Sequence, residues 1–429
     1  MDSVFSDHRA LRPLLLELLN AFGEFGKAED GGYSRLAASP EEKLARDHLC
    51  EWLRAHDFAV LVDPIGNIFG VLDLGEVDTA RAFFCGSHLD SQPNGGNYDG
   101  CLGVVCACIA ALFLKDKIDR DEIKPTFRYY VVVCWTGEEG ARFQPSLIGS
   151  SVFSGALSLQ DAWRLKDSEG VTLKDALAAS NYLGADSPPS PDHYLELHIE
   201  QGPELEKSGD PVALVEACWG AEKLRVLAKG KAAHTGPTPM DERNNALLAA
   251  SQLVVYAEEI SRRCGETLYS SVGRMELAPN SPNTVVERAE LWLEFRSPGE
   301  AALSDAVSQF KDCMSAVSGQ TGCDLSIVSR ESRNITCFDE ASISNAECAL
   351  GASNTGYLKL KTVAGHDAVR LQAICPSTLL FVPSKGGITH SPSEYTADED
   401  VCAGFDAMAV VLASLIARPA GASAFRRST

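Results

Sequence analysis

The segment Leu102–Lys115 is apolar on every face, so it cannot be a surface helix with one side in water and must be buried all round. It is flanked by short β-rich runs. Arg81–Cys85 leads into Gly86-Ser87-His88, and the continuous apolar run Thr126–Trp135 ends in Thr136-Gly137-Glu138-Glu139-Gly140. Strand, buried helix, strand predicts an α/β layer on a mixed, largely parallel sheet. Polar residues cluster just after the strand ends, where ligand sites of such sheets lie. The longest apolar run, Cys101 to Leu114, is too short to span a bilayer as a helix.

With 429 residues the chain exceeds what one core usually holds, which favours two domains. Helical spacing of apolar residues marks Leu11–Phe25 and Glu41–His56, followed by β-rich runs at Phe58–Val62 and Ile68–Leu74. The pattern pauses around Gly209–Pro211. Then come a strand at Leu224–Ala228, a helix at Asn245–Cys264, strands near Val272–Leu277 and Ala289–Arg296, a helix at Ala301–Ser318 and a strand at Asp324–Ser329. That β-α-β-β-α-β order is ferredoxin-like. After Asn334 the α/β pattern resumes, with a strand at Thr378–Val382 and a helix at Val401–Ala417. The expectation is a discontinuous catalytic domain, 1–212 and 333–429, carrying an inserted α+β lid or dimerisation domain at 213–332. The tail after Pro419 is expected to be loose.

A formal net charge of −21 would repel phosphate backbones and anionic headgroups, which argues against nucleic-acid and membrane-surface partners. The 14 cysteines include no C-x-x-C pair and many lie inside apolar runs, as suits buried thiols in a reducing compartment. The opening Met1-Asp2-Ser3-Val4-Phe5-Ser6-Asp7 lacks a basic start and a long apolar core. No signal peptide is expected, and a cytoplasmic protein is.

The most informative stretch is Gly86-Ser87-His88-Leu89-Asp90-Ser91-Gln92-Pro93-Asn94-Gly95-Gly96-Asn97-Tyr98-Asp99-Gly100. An imidazole at a strand end, a carboxylate two residues on and another after a Gly-rich turn can supply a metal ligand, its orienter and a second ligand. A polar loop with incidental acids would read the same way. The adjacent Glu138 and Glu139 shift the balance, because a buried strand seldom ends in paired acids without a cation nearby; exposed acids at a helix start are the alternative. Alternation along Tyr194–Glu200 puts Glu196, His198 and Glu200 on one strand face, and polar groups that deep need partners. His390 sits in Gly386-Gly387-Ile388-Thr389-His390-Ser391-Pro392 after an apolar strand, where a lone histidine is more often surface decoration than ligand.

Taken together, the blocks Gly86–Gly103, Trp135–Phe143, Glu196–Pro203, His234–Arg243, Ala364–Ala368 and Pro383–Glu394 resemble the hydantoinase and carbamoylase branch of the dinuclear aminoacylase/carboxypeptidase metallopeptidase superfamily. That branch holds N-carbamoyl-L-amino-acid hydrolases, β-ureidopropionases of one type, and allantoate and ureidoglycolate amidohydrolases. His198 stands where peptidase relatives usually place an acid. The resemblance implies an amidohydrolase acting on the carbamoyl C–N bond of a small N-carbamoyl or ureido acid, a homodimer, and two divalent ions per subunit, with zinc first and manganese, cobalt or nickel as alternatives. Asp99 would bridge the ions, His88 and His198 would complete one site, and Glu139 and His390 the other. Glu138 would be the general base and Asp90 would orient His88. Arg296 and Asn283 would bind the substrate carboxylate, Gln201 and Gly365 the ureido end, and His234 would reach the partner subunit's site to stabilise the oxyanion.

Several residues depart from the branch pattern. Gly137 replaces Asn, Pro237 replaces Thr, Asn245 replaces Asp, Val363 replaces Gly, and Glu294 and Ser297 flank Arg296 where Asp and His are common. None removes an expected ligand. A dipeptidase or acyl-amino-acid hydrolase is the competing enzyme reading, disfavoured by His198. A non-catalytic relative is disfavoured because all five ligand positions and Glu138 are filled.

Overall fold

The apolar segment forms the helix Cys101–Asp119, whose residues are buried on every face through its first three turns. It packs on the strands Ala82–His88, Tyr129–Trp135 and Pro191–Ile199 and on the helix Asp398–Ile416. Burying each of its Val, Leu, Ile or Phe side chains contributes roughly 1.5–3 kcal/mol. A charge at Val105, fully buried here, would break this layer. The protein is seen in a computed structural model that describes residues 7–29, 31–75, 77 and 80–419. The expected loose tail after Pro419 and the first six residues, on which the signal-peptide expectation rests, lie outside the described residues.

The main sheet runs in the order Ala59–Val62, Ile68–Asp73, Tyr129–Trp135, Ala82–His88, Pro191–Ile199, Ser377–Val382, Ala213–Cys218. Its four central strands, Tyr129–Trp135 to Ser377–Val382, are parallel, and the flanking pairs are antiparallel. Crossover connections force that centre to be covered on both faces, which explains the near-continuous apolar runs at Phe83–Cys85 and Tyr130–Trp135. The register pairs His88 with Trp135 and Phe381 with His198. The carboxyl ends of these four strands therefore deliver His88, the Glu138–Glu139 turn, His198 and the His390 loop to one edge.

The chain divides into two compact units, one made of the residues through Glu216 with Phe338–Leu360 and the chain from Gly365, the other of Ala217–Cys337 with Lys361–Ala364. The second unit has a four-stranded antiparallel sheet in the order Tyr269–Ala278, Arg288–Ser297, Gly220–Lys229, Asp324–Arg333. Its helices Ala246–Cys264 and Glu300–Thr321 cover one face through a core that includes Leu224, Leu253, Leu293, Phe295 and Phe310. Strand order second, third, first, fourth is the ferredoxin-like arrangement. No helix among the described residues is long and apolar enough to cross a membrane. All fourteen cysteines are free, and burial pushes the Cys101 thiol up to about 11, which leaves it inert.

Candidate metal centre

Five side chains meet at the carboxyl edge of the parallel strands. His88, Asp99 and His198 form one cluster and Asp99, Glu139 and His390 a second, with the potential ligand atoms of each cluster within 4.8 Å of one another. An Asp99 oxygen lies 3.4 Å from His88 Nε2 and 3.1 Å from His198 Nε2. His390 Nε2 lies 3.3 Å from Glu139 and 3.6 Å from Asp99. Two atoms each about 2.1 Å from one tetrahedral ion stand about 3.4 Å apart, so the spacing suits a divalent cation.

The tautomers sharpen the test. Nδ1 of His88 lies 2.9 Å from the carbonyl of Asp90, and Nδ1 of His198 lies 3.0 Å from the carbonyl of Ile199. A carbonyl only accepts, so both Nδ1 atoms carry protons, and each neutral ring leaves its Nε2 lone pair beside Asp99, that of His198 also accepting the Gly100 N–H at 3.2 Å. Lone pair facing carboxylate is repulsive without a cation between them. Nε2 of His88 is buried and makes no hydrogen bond. Without an ion a proton must serve. Burial opposes charging His88, yet Glu138, Asp99 and Asp90 outweigh it and raise its pKa well above the ordinary value. Burial likewise opposes the ionised form of Asp99, but His198 and His88 hold its carboxyl well below the usual range. The donor set fits a metal pair.

The two glutamates are held differently. Glu139 accepts from the backbone N–H of Gln92 at 3.1 Å and from its side-chain amide at 2.9 Å; burial, with the charge on Asp99, pushes its pKa up to about 8. Glu138 lies 3.6 Å from His88 Nε2, is buried, and belongs to neither cluster. Burial raises its pKa well above the carboxylate range, against the pull of His88. Asp90 touches both His88 and the glutamate turn. Its carboxylate accepts the backbone N–H groups of Glu138 and Glu139, both at 3.2 Å, and sits 3.6 Å from His88 Nδ1. It is the backbone carbonyl of Asp90 that bonds the ring.

Gln201, expected at the ureido end, donates to Asp99 at 2.7 Å and reaches His390 at 3.4 Å. Gly365 lies just before His366, whose ring packs edge-on against that of His198 with centroids 4.6 Å apart. The remaining expected residues belong to the second unit. His234 and Asn283 are neighbours there, because His234 pairs with Thr284 in a short ribbon and the Asn283 carbonyl accepts from Thr235. His234 is exposed, with Nδ1 accepting from Gly236 N–H at 3.0 Å. Arg296 is braced by Glu294 at 2.8 Å and by the Val363 carbonyl at 3.1 Å. Gln92 and Glu394 went unassigned in the sequence. Each lies inside a recognised motif, but nothing in residue type marks a side chain that works by holding a ligand.

Residues 84–414 match the model of Peptidase family M20/M25/M40, and the chain belongs to this family of hydrolases. It is 32% identical over 400 residues to a Geobacillus stearothermophilus protein named N-carbamoyl-L-amino acid amidohydrolase, covering 92% of this chain and 96% of that one. It is 28% identical to an Escherichia coli protein named allantoate amidohydrolase, covering 94% and 98%. A solved amidase of the hydantoinase/carbamoylase family from Burkholderia vietnamiensis superposes with a TM-score of 0.87 at 32% identity, covering 94% of this chain and 97% of that one.

Proposed function

We propose that this protein is a two-metal amidohydrolase that cleaves the carbamoyl C–N bond of a small N-carbamoyl-L-amino acid or ureido acid, releasing ammonia and carbon dioxide. The observation that carries the reading is the pair of carbonyl-fixed imidazoles, His88 and His198, whose Nε2 atoms both stand beside one Asp99 oxygen. His88, Asp99 and His198 would hold one ion, and Asp99, Glu139 and His390 the other. Such ions supply a lowered water pKa and polarisation of the scissile carbonyl. Zinc suits nitrogen and carboxylate donors first, and manganese, cobalt and nickel suit them too.

Glu138 is the general base: beside the clusters but outside them, it takes a proton from the attacking water and delivers it to the leaving nitrogen. One water is consumed, the C–N bond breaks, and ammonia, carbon dioxide and the free amine result. Arg296 and Asn283 bind the substrate carboxylate, while Gln201 and Gly365 meet its ureido end. In a homodimer, His234 of the partner subunit stabilises the oxyanion. Mixed dimers of His234→Ala and Glu138→Ala chains would then regain roughly a quarter of wild-type activity from inactive parents; no recovery with proven subunit exchange would remove the trans role.

Both relatives quoted above are named for ureido compounds, which supports the substrate class and leaves allantoate or ureidoglycolate as the second reading. Ammonia release by metal-reconstituted protein across N-carbamoyl-L-amino acids, N-carbamoyl-β-alanine, allantoate and ureidoglycolate tests it, with dipeptides as controls. Cleavage of dipeptides with no ammonia from any ureido acid would overturn it.

A further inference from the structure

His390 is the least enclosed of the five clustered side chains, 45% exposed, and its backbone holds φ at +54°, a conformation uncommon for a residue with a side chain. His88 stands on a buried strand end and His198 near another, whereas His390 hangs on a loop. Something must fix that loop against Asp99 if the two are to share an ion. Four residues on, Glu394 is buried, and its Oε1 accepts the backbone N–H groups of Tyr98 at 3.0 Å and Asp99 at 3.1 Å. The carboxylate passes directly over Gly96, where a Cβ would stand 2.0 Å from it.

Glu394 is tied to the His390 loop by a tight turn. Its N–H donates to the Ser391 carbonyl at 3.0 Å, and Ser393 N–H donates to Ser391 Oγ at 3.2 Å. Tyr395 adds an edge-on ring contact to Tyr98, with centroids 6.2 Å apart. A shift of Glu394 therefore moves the His390 loop relative to Asp99, because Gln201 also holds the Asp99 carboxylate at 2.7 Å and the helix Cys101–Asp119 begins two residues on, while His88 and His198 stay fixed by their strands. Charge does not explain the placement, since a second buried carboxylate beside Asp99 is electrostatically unfavourable.

We infer that Glu394 is a positioning residue that ties the His390 loop to the Asp99 loop and so builds the second ion site selectively. This rests on the proposed two-metal reading. Glu394→Gln keeps an oxygen able to accept both amides, whereas Glu394→Asp keeps the charge but falls one methylene short of them. Calorimetric titration of the metal-stripped full-length protein with zinc should resolve two sites in the wild type. Glu394→Asp should weaken the second site about 10–100-fold, the scale for losing a group that orients a ligand, with the first site little changed and Glu394→Gln close to wild type. Glu394→Asp binding both ions as the wild type does, equal weakening of both sites, or a Gln variant as weak as Asp would each overturn the inference. If the wild type itself binds fewer than two ions, the two-metal reading fails instead.

Discussion

Gly100 is packed against the face of His88 so closely that a Cβ at residue 100 would stand 2.4 Å from the imidazole ring, and its backbone holds φ at +69°. The residue after Asp99 thus has to be glycine on two counts, sterics and backbone conformation. Gly100→Ala should tilt His88 away from Asp99, costing about 1–3 kcal/mol in stability and weakening the first ion about 10–100-fold. Thermal melts and zinc titration of one preparation measure both. Wild-type zinc affinity in the variant would show that the contact does not set His88.

Glu138→Gln should leave two ions bound and lower turnover by at least about a hundredfold, the scale of a lost general base. Metal analysis beside kinetics decides the matter. Loss of an ion would make Glu138 a ligand.

Chelated protein should grow less stable as pH rises. Glu139 ionises in the folded chain near 8 against an ordinary value of 4.5, chiefly through burial. A carboxyl raised on folding binds its proton more tightly in the native state, so its contribution is full below about 4.5 and is lost as pH climbs toward 8. His88 and His198, raised above 6.5 by Glu138 and Asp99 against the opposing effect of burial, push the same way. The melting temperature in chelator should fall between about pH 5 and pH 8, and added zinc should reverse the fall by binding only the native state. A chelated protein equally stable at both ends would contradict the buried-acid account.

Arg296→Lys should raise KM for a carboxylate substrate with little effect on kcat, because an ammonium cannot both keep the Glu294 and Val363 contacts and offer a planar fork. Initial-rate kinetics on any turned-over ureido acid suffice. An unchanged KM would take Arg296 out of substrate binding.

The α/β core was legible because Leu102–Lys115 can only be interior, and the ferredoxin-like unit because its elements alternate in an order with few packings. Loss of apolar pattern marked the strand ends near His88, Glu138–Glu139 and His198, but only the resemblance of whole blocks to a known family joined them with Asp99 and the loop residue His390 into one ligand set. Two departures from the branch pattern also have physical reasons. Gly137 adopts φ +65°, which glycine and asparagine both tolerate. Asn245 caps the helix Ala246–Cys264 by accepting from Leu247 and Leu248, as aspartate would. What sequence could not give was division of labour inside a motif. Asp90 orients the glutamate turn with its carboxylate and His88 with its carbonyl, and Glu394 reaches back across nearly three hundred residues to the Asp99 amide; neither bond has a periodicity or spacing to betray it.

The most direct test of the account is a zinc titration of metal-free protein with ammonia release from a ureido acid followed at each addition. Activity should appear steeply as the second equivalent binds and should vanish on chelation. Full ammonia release from chelated protein, or a maximum reached with one ion per chain, would contradict a reaction that depends on both clusters around Asp99.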